Sequence, residues 1–180
     1  MKNIFSIFLL FVLYTVSIEQ SYAQDKCKQS ELVSLSIFSK NDYNFQSLSC
    51  DAEQGVFLKN YLVNSNKNLL INEFAEFAAN EKPKIVAVSI YKPKNKISKN
   101  PLLISIASAY FCCTPQIEGY SYQVNIYEVK KQGNNVVLKD ISKKLLKEDA
   151  SGFDGQTDGE TYYKYKDITS IKKWLDKNYK

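Results

Sequence analysis

Histidine and arginine are absent from the 180 residues, and all 24 basic side chains are lysine. Without an imidazole, neither a Ser-His-Asp nor a Cys-His pair can form, and zinc loses its usual nitrogen ligand. Chemistry has to come from carboxylates, cysteines, lysines and tyrosines. The densest carboxylate run is 148–160, where Glu148, Asp149, Asp154, Asp158 and Glu160 lie among Gly152, Gly155 and Gly159 with no lysine between them. Carboxylates interleaved with glycine suit a calcium loop, because oxygen ligands must converge and the backbone must turn. The EF-hand register fails, however: counted from Asp149 the fifth position is Phe153, and counted from Asp154 the twelfth is Tyr165. The segment reads as a solvated loop facing a basic neighbour, with Asp149, Asp154, Asp158 and Glu160 as weak calcium ligands at most and no other cofactor. Any two of Glu118, Glu128, Asp154 and Glu160 meeting in space would supply the acid pair of a glycoside hydrolase, although nothing in their spacing argues for it.

Four cysteines, Cys27, Cys50, Cys112 and Cys113, make an even set, and in an exported chain disulfides are the default reading. Three pairings exist. Adjacent residues hold their Cα atoms about 3.8 Å apart, below the roughly 4.4 to 6.8 Å of a relaxed bridge. If 112–113 is still strand, the two side chains point to opposite faces, and each needs its own partner in Cys27 or Cys50. If it is already loop, as Thr114-Pro115 suggests, a vicinal bridge with a Cys27–Cys50 partner pair becomes open. There is no Cys-X-X-Cys motif and no zinc-ligand spacing.

Lys92, Lys94, Lys96 and Lys99 crowd one connection, Tyr91 to Pro101. Such a loop can meet an acidic partner, although exposed lysines in a turn are more often simple solvation. Tyr110, Tyr120, Tyr122 and Tyr127 cluster around one expected hairpin, and tyrosine offers large contact area at low entropic cost.

The elements that position these residues follow from periodicity. Val56, Phe57, Asn60, Tyr61 and Val63 have helical spacing, and Ile71, Phe74, Ala75 and Ala78 predict a second helix that Pro83 ends. Residues 32–38 alternate weakly and stay open between strand and helical turn. The period then changes to two: 84–91, 102–111 and 120–130 read as strands, with Gly133-Asn134-Asn135 turning the chain into a short strand at 136–138. Asp140 caps a short helix through Leu146, 162–165 reads as an edge strand, and Asp167 caps a last helix bearing Ile168, Ile171, Trp174 and Leu175. One sheet face would carry Val86, Val88, Ile90, Leu102, Ile104, Ile106, Tyr122, Val124 and Ile126. The other would carry Ser89, Tyr91, Ser105, Ala107, Ala109, Ser121, Gln123, Asn125 and Tyr127 and would be solvated. The expected class is α+β: an antiparallel sheet of about four to five strands with helices packed on one face.

Residues 1–23 read as a signal peptide: one charge at Lys2, an apolar run from Ile4 to Val16, and Ser21-Tyr22-Ala23 before a cleavage at Gln24. Cys27 lies beyond that point, which argues against a lipid anchor. Residues 24–180 then form a single soluble α+β domain, periplasmic or secreted, with no stable membrane insertion after cleavage. None of its fourteen asparagines lies in a glycosylation sequon, which favours a bacterial export route. Outside 148–160 this part of the chain has 23 lysines against 13 acids, an excess of ten positive charges. Lysine, asparagine, isoleucine and tyrosine are all abundant, as AT-rich coding produces, and lysine lacks the rigid fork that reads phosphate or guanine. Nucleic acid is therefore not an expected partner. The reading that fits is an exported, non-catalytic binding protein of the inhibitor or immunity type, whose partner is a secreted or envelope protein. Its binding surface would be the solvated sheet face with Tyr91, Tyr127 and the Lys92–Lys99 loop. The alternative is a carboxylate-dependent hydrolase of envelope polymers.

Overall fold

The computed structural model describes residues 26–65, 67–94, 100–114, 116–133 and 135–179. The expected signal peptide with its cleavage point, and Lys96 and Lys99, lie outside the described residues. In chain order the elements are β1 (Lys26–Leu35), β2 (Tyr43–Ala52), β3 (Gly55–Asn64), β4 (Lys67–Ala75), β5 (Lys84–Tyr91), β6 (Leu102–Thr114), β7 (Ile117–Gln132) and β8 (Asn135–Asp140). They are followed by α1 (Ser142–Leu146), a 3-10 turn (Lys147–Ala150), β9 (Ser151–Thr157), β10 (Glu160–Thr161) and α2 (Ile168–Asn178).

Residues 102–109 are apolar or small on both parities, so a strand made from them must be covered on both faces. β6 is that strand, buried along its length from Leu102 to Ala109. It forms a long antiparallel hairpin with β7; β5 pairs its other edge, while β8 and β9 share the far edge of β7, at Tyr127–Gln132 and Ile117–Gln123 respectively. β10 extends β9. β1 to β4 form a separate four-stranded antiparallel meander. It lies against one face of the six-stranded sheet, where Leu35, Ile37, Phe45 and Leu62 meet Leu103, Tyr127 and Val129, and Leu58 and Phe74 meet Ala107 and Ala109. On the opposite face Leu102, Ile104, Ile106, Val124 and Ile126 pack with Leu146 of α1 and Ile171 and Leu175 of α2.

The expected α+β class is overturned. Among the described residues 62% are strand and 14% helix, and the main layer against the central sheet is another sheet. The two helices expected around 51–63 and 71–78 are β3 and β4. The two-residue turn at Glu53 and Gln54 joins β2 to β3, with Gly55 at φ 132° after it. From there Leu58, Asn60 and Leu62 alternate inward. In β4 an irregular register beside Asn60/Tyr61 restores a helix-like spacing of apolar residues within a strand. The segment at 148–160 is also not a loop but mostly β9, and the edge strand expected at 162–165 lies earlier, at Glu160–Thr161. The expected strands β5 to β8 and the helix capped by Asp167, which accepts from the Ser170 amide at 2.8 Å, are present.

The facing pattern expected for β5 is reversed. Ile90 lies opposite Leu103 and Tyr91 opposite Leu102, so Val88 and Ile90 turn toward the four-stranded sheet and Tyr91 toward the helices. A one-residue change of register exchanges the two faces of a strand.

Cys27 and Cys50 are direct cross-strand neighbours in β1 and β2 and are bonded; Cys112 and Cys113 are bonded to each other. The second bridge resolves the alternatives left open by the sequence. Both residues fall in a bulge between the pairs Phe111–Gly119 and Thr114–Ile117, with Cys113 at φ 72°, so side-chain alternation is broken there. The Cys27–Cys50 bridge closes a loop from β1 through β2 with a sequence separation of 23. Replacing both residues by alanine is expected to lower the unfolding free energy by roughly 3 kcal/mol in the chain-entropy account, read from urea denaturation; an unchanged midpoint would show that β1 is held by its hydrogen bonds and packing alone.

Candidate functional site

Tyr91 and Tyr127 do not share a surface. Tyr91 is 8% exposed beneath α2 and donates its hydroxyl to Asp176 at 3.0 Å; burial and the neighbouring Asp176 carboxylate push its pKa up to about 12. Tyr127 is 4% exposed on the opposite face, between the two sheets, where burial raises its pKa. The solvated face assigned to them is therefore interior on both sides. Lys92 and Lys94 are exposed, and Lys94 Nζ lies 3.9 Å from Asp176.

The carboxylates of 148–160 are distributed, not convergent. Asp149 pairs with Lys164 at 2.6 Å, Asp154 pairs with Lys166 at 2.7 Å, Asp158 occupies the β9–β10 turn at φ 49°, and Glu160 is exposed on β10. Among the described residues no group of three or more carboxylate or cysteine side chains forms a cation cage. The basic neighbour expected for this segment is the pair Lys164 and Lys166.

A different site is assembled on the outer face of the six-stranded sheet, beyond the part that α1 and α2 cover. It is an open cleft of about 1000 Å³ lined by Tyr110, Tyr120 and Tyr162, by Glu81, Glu118, Asp154 and Glu160, and by Lys166. Its floor is backbone. Gly119 and Gly155 stand directly opposite each other in β7 and β9, at φ 154° and 148°. A Cβ on Gly119 would lie 2.4 Å from the Asp154 carbonyl oxygen, and one on Gly155 would lie 2.2 Å from that of Glu118. Neither carbonyl can swing aside as a side chain would, so both positions require glycine.

The walls have separate anchors. Tyr110 and Tyr120 are cross-strand neighbours, with ring centroids 4.9 Å apart, and Tyr110 directs its hydroxyl at Glu118 Oε1 at 3.4 Å. Glu81 is held at the rim because Asn80 clamps β6 twice: its amide donates to the Tyr110 carbonyl, and its side-chain oxygen accepts from the Cys112 amide at 2.7 Å. Rings continue from the cleft toward α2 through Tyr122, Tyr163, Tyr165 and Trp174, with successive centroids between 4.9 and 6.3 Å from Tyr110 onward. Tyr162, 76% exposed, stands free of this ladder.

Electrostatically the cleft is acidic and already attracts ammonium groups. Lys84 Nζ sits 5.2 Å from the Tyr120 ring centre and Lys166 Nζ 4.3 Å from that of Tyr162, distances at which a cation is drawn to a ring face. Burial pulls the Asp154 pKa upward, but the hydrogen bond from Lys166 and the Tyr163 amide, at 3.1 Å, outweigh it and leave the carboxyl below its ordinary value. Asp154 is thus an ionised anchor and not a proton donor.

Of Glu118, Glu128, Asp154 and Glu160, any two of which are free to meet as far as the sequence goes, the cleft gathers Glu118, Asp154 and Glu160; Glu128 is elsewhere, bound by Asn100 and Lys130. The hairpin tyrosines were visible as a cluster, but their division between the two faces was not. Glu81 and Tyr162 gave no local signal, because they reach the cleft from segments far apart in sequence.

The lowered Asp154 pKa fixes a sign for pH dependence. The unfolded chain takes up a proton at higher pH than the folded one, so this stabilisation is complete above the ordinary aspartate pKa and disappears as pH falls through the folded value. Asp154→Asn is expected to lose about 1 to 2 kcal/mol at pH 7, with the gap to wild type narrowing from about pH 4 downward. Urea midpoints measured across that range check it; a gap that stayed constant with pH would show that the Lys166 and Tyr163 contacts do not depend on ionisation. Comparison of the chain with family models, with characterised proteins and with solved structures found no match.

Proposed function

We propose that this is an exported, non-catalytic binding protein whose working surface is the tyrosine–carboxylate cleft, and whose partner is a secreted or envelope protein presenting lysine ammonium groups. The observation that carries the reading is the inversion of charge at the cleft. Four carboxylate residues line it together with Lys166, within a chain that elsewhere has a marked excess of lysine. Tyrosine faces flanked by carboxylates hold an ammonium group by ring quadrupole and by charge together, and Lys84 and Lys166 already occupy such positions. The exposed ring of Tyr162 and the flat glycine floor leave room for a further side chain to lie across them. An inhibitor or immunity protein would use such a surface to cover a basic region of its target.

A second reading, a carboxylate-dependent hydrolase of envelope polymers, draws its support from Glu118, Asp154 and Glu160 lining one cleft. It requires one of the carboxyl groups to donate a proton, a role the Lys166-bound Asp154 does not suit, and it therefore rests on Glu118 and Glu160.

Calorimetric titration of the processed protein with a decalysine peptide tests the first reading. Binding is expected to weaken as salt rises from about 50 to about 300 mM. It is also expected to weaken about tenfold or more in the Tyr120→Ala, Tyr162→Ala double variant at unchanged thermal stability. Equal affinity in variant and wild type would remove the cleft from the reading. Release of soluble fragments from peptidoglycan by the wild type, abolished in Glu118→Gln, would replace it with the hydrolase.

A further inference from the structure

We infer that the Cys112–Cys113 bridge is a reduction site for a dithiol, and that its oxidation state sets where Glu118 and Glu81 stand on the tyrosine–carboxylate cleft. The consequence for binding rests on the reading of that cleft as the working surface. The two bridges of this chain differ in what they impose on the backbone. Cys27 and Cys50 face each other within regular ladder, with Lys26 opposite Asp51 and Lys28 opposite Ser49, and Cys50 is fully buried. That register needs no bond to hold it. Cys112 and Cys113 are neighbours in sequence, and in an extended strand their side chains would point to opposite faces. A bond between them is therefore incompatible with regular pairing, and it is tied to the bulge in β6.

The bulge in turn positions two of the carboxylate residues that line the cleft. Between the pairs Phe111–Gly119 and Thr114–Ile117, Cys112 and Cys113 together stand against Glu118 alone, and Glu118 accepts from the Tyr110 hydroxyl in the cleft. Elsewhere along β6 the Cys112 amide donates to Asn80 Oδ1 at 2.7 Å, while the Asn80 and Glu81 amides donate to the Tyr110 carbonyl, which fixes the segment that brings Glu81 to the rim. Cys113 is held at φ 72°, a conformation that a residue with a side chain rarely adopts unaided. It is also exposed, so a dithiol reaches its sulfur. One thiolate of the reagent attacks Cys113 Sγ, and the Cys112 sulfur leaves and takes up the proton the reagent lost. The second thiol of the reagent then closes a disulfide within the reagent and releases Cys113 as a thiol, so that two electrons pass to the protein. With the bond gone, Cys113 returns to extended backbone and the ladder closes to Cys112–Glu118 and Cys113–Ile117, one residue out of its oxidised register. Losing the bulge removes the bend it puts in the strand. The Cys112 amide is drawn off Asn80, and Glu118 moves to a position opposite Cys112.

Treatment of isotope-labelled protein with increasing dithiothreitol tests this with three readouts. Differential alkylation and mass spectrometry record which bridge has opened. The backbone amide signals of Glu81, Cys112 and Glu118 and the side-chain NH2 signals of Asn80 report the turn by NMR, and calorimetry with decalysine reports the cleft. Cys112 and Cys113 are expected to open at lower dithiol concentration than Cys27 and Cys50. Shifts of those signals should accompany the opening, with decalysine affinity falling about fivefold or more, and both changes should reverse on reoxidation. The Cys112→Ser, Cys113→Ser double variant should show the reduced signals and affinity without any dithiol; reversible reduction of the wild type makes the same test if that variant does not fold. Preferential opening of Cys27–Cys50, turn signals unmoved once Cys112–Cys113 is open, or equal decalysine affinity of oxidised and reduced protein would each overturn the proposal. If neither form binds decalysine, the cleft reading fails on its own, and the turn signals alone decide whether the bridge sets the positions of Glu81 and Glu118.

Discussion

β6 has to be dry on both faces, and the architecture follows from satisfying that requirement twice over with different material. Leu102, Ile104 and Ile106 point one way, while Leu103, Ala107 and Ala109 point the other. Burying each large aliphatic side chain is worth roughly 1.5 to 3 kcal/mol, so leaving either face of this strand in water would forfeit several such terms. The helices are short, and they suffice only for the Leu102–Ile106 end of one face. The opposite face spans more of the hairpin and is covered by a complete four-stranded sheet. The small residues buried on that side, Ser105, Ala107 and Ala109, fit this arrangement, because small side chains let a second sheet approach.

The cleft is a consequence of that unequal cover. Where α2 and the 162–166 segment run out, the β6–β7 hairpin continues with Tyr110, Tyr120 and Glu118 on its outer side. Tyrosine tolerates such a boundary well, since its ring packs while its hydroxyl stays wet. The glycine pair Gly119–Gly155 keeps the floor low there, and the Cys112–Cys113 bulge with Asn80 brings Glu81 to the rim. The acidic residues accumulate where the sheet is bare, and the lysines that neutralise Asp149 and Asp154 come from the segment immediately following β10.

Between the sheets a polar layer divides the apolar core. Ser47, Asn60 and Asn72 face the side of the central sheet that carries Ser105, Gln123 and Asn125, and the two apolar clusters around Phe45 and around Phe74 lie on either side of it. A wholly apolar layer there would pack two sheets without needing register-specific bonds; amides oppose slippage, because sliding either sheet by one residue would bury more unpaired groups.

What is local can be read from the order of the residues. Period-two runs placed β5 to β8, Asp167 announced its helix, the missing histidine and arginine removed whole classes of chemistry, and the cysteine count implied bridges. Glu118, Glu128, Asp154 and Glu160 stood as equal candidates, and nothing in their spacing separated the three that line the cleft from Glu128. How faces are shared out depends on packing between distant segments, because a strand's two sides are distinguished by what packs on them and not by which residues they hold. Val56, Phe57 and Tyr61 fit a helix as well as a strand until Leu58 and Leu62 find Phe74 and Phe45 across their neighbours. Tyr91 and Tyr127 have the same parity, yet one lies beneath a helix and the other between sheets, since the register of β5 against β6 joins odd positions to even ones. Likewise the cleft draws Glu81, Tyr110, Asp154 and Tyr162 from separate segments, and their meeting depends on strand order, a property that periodicity does not encode.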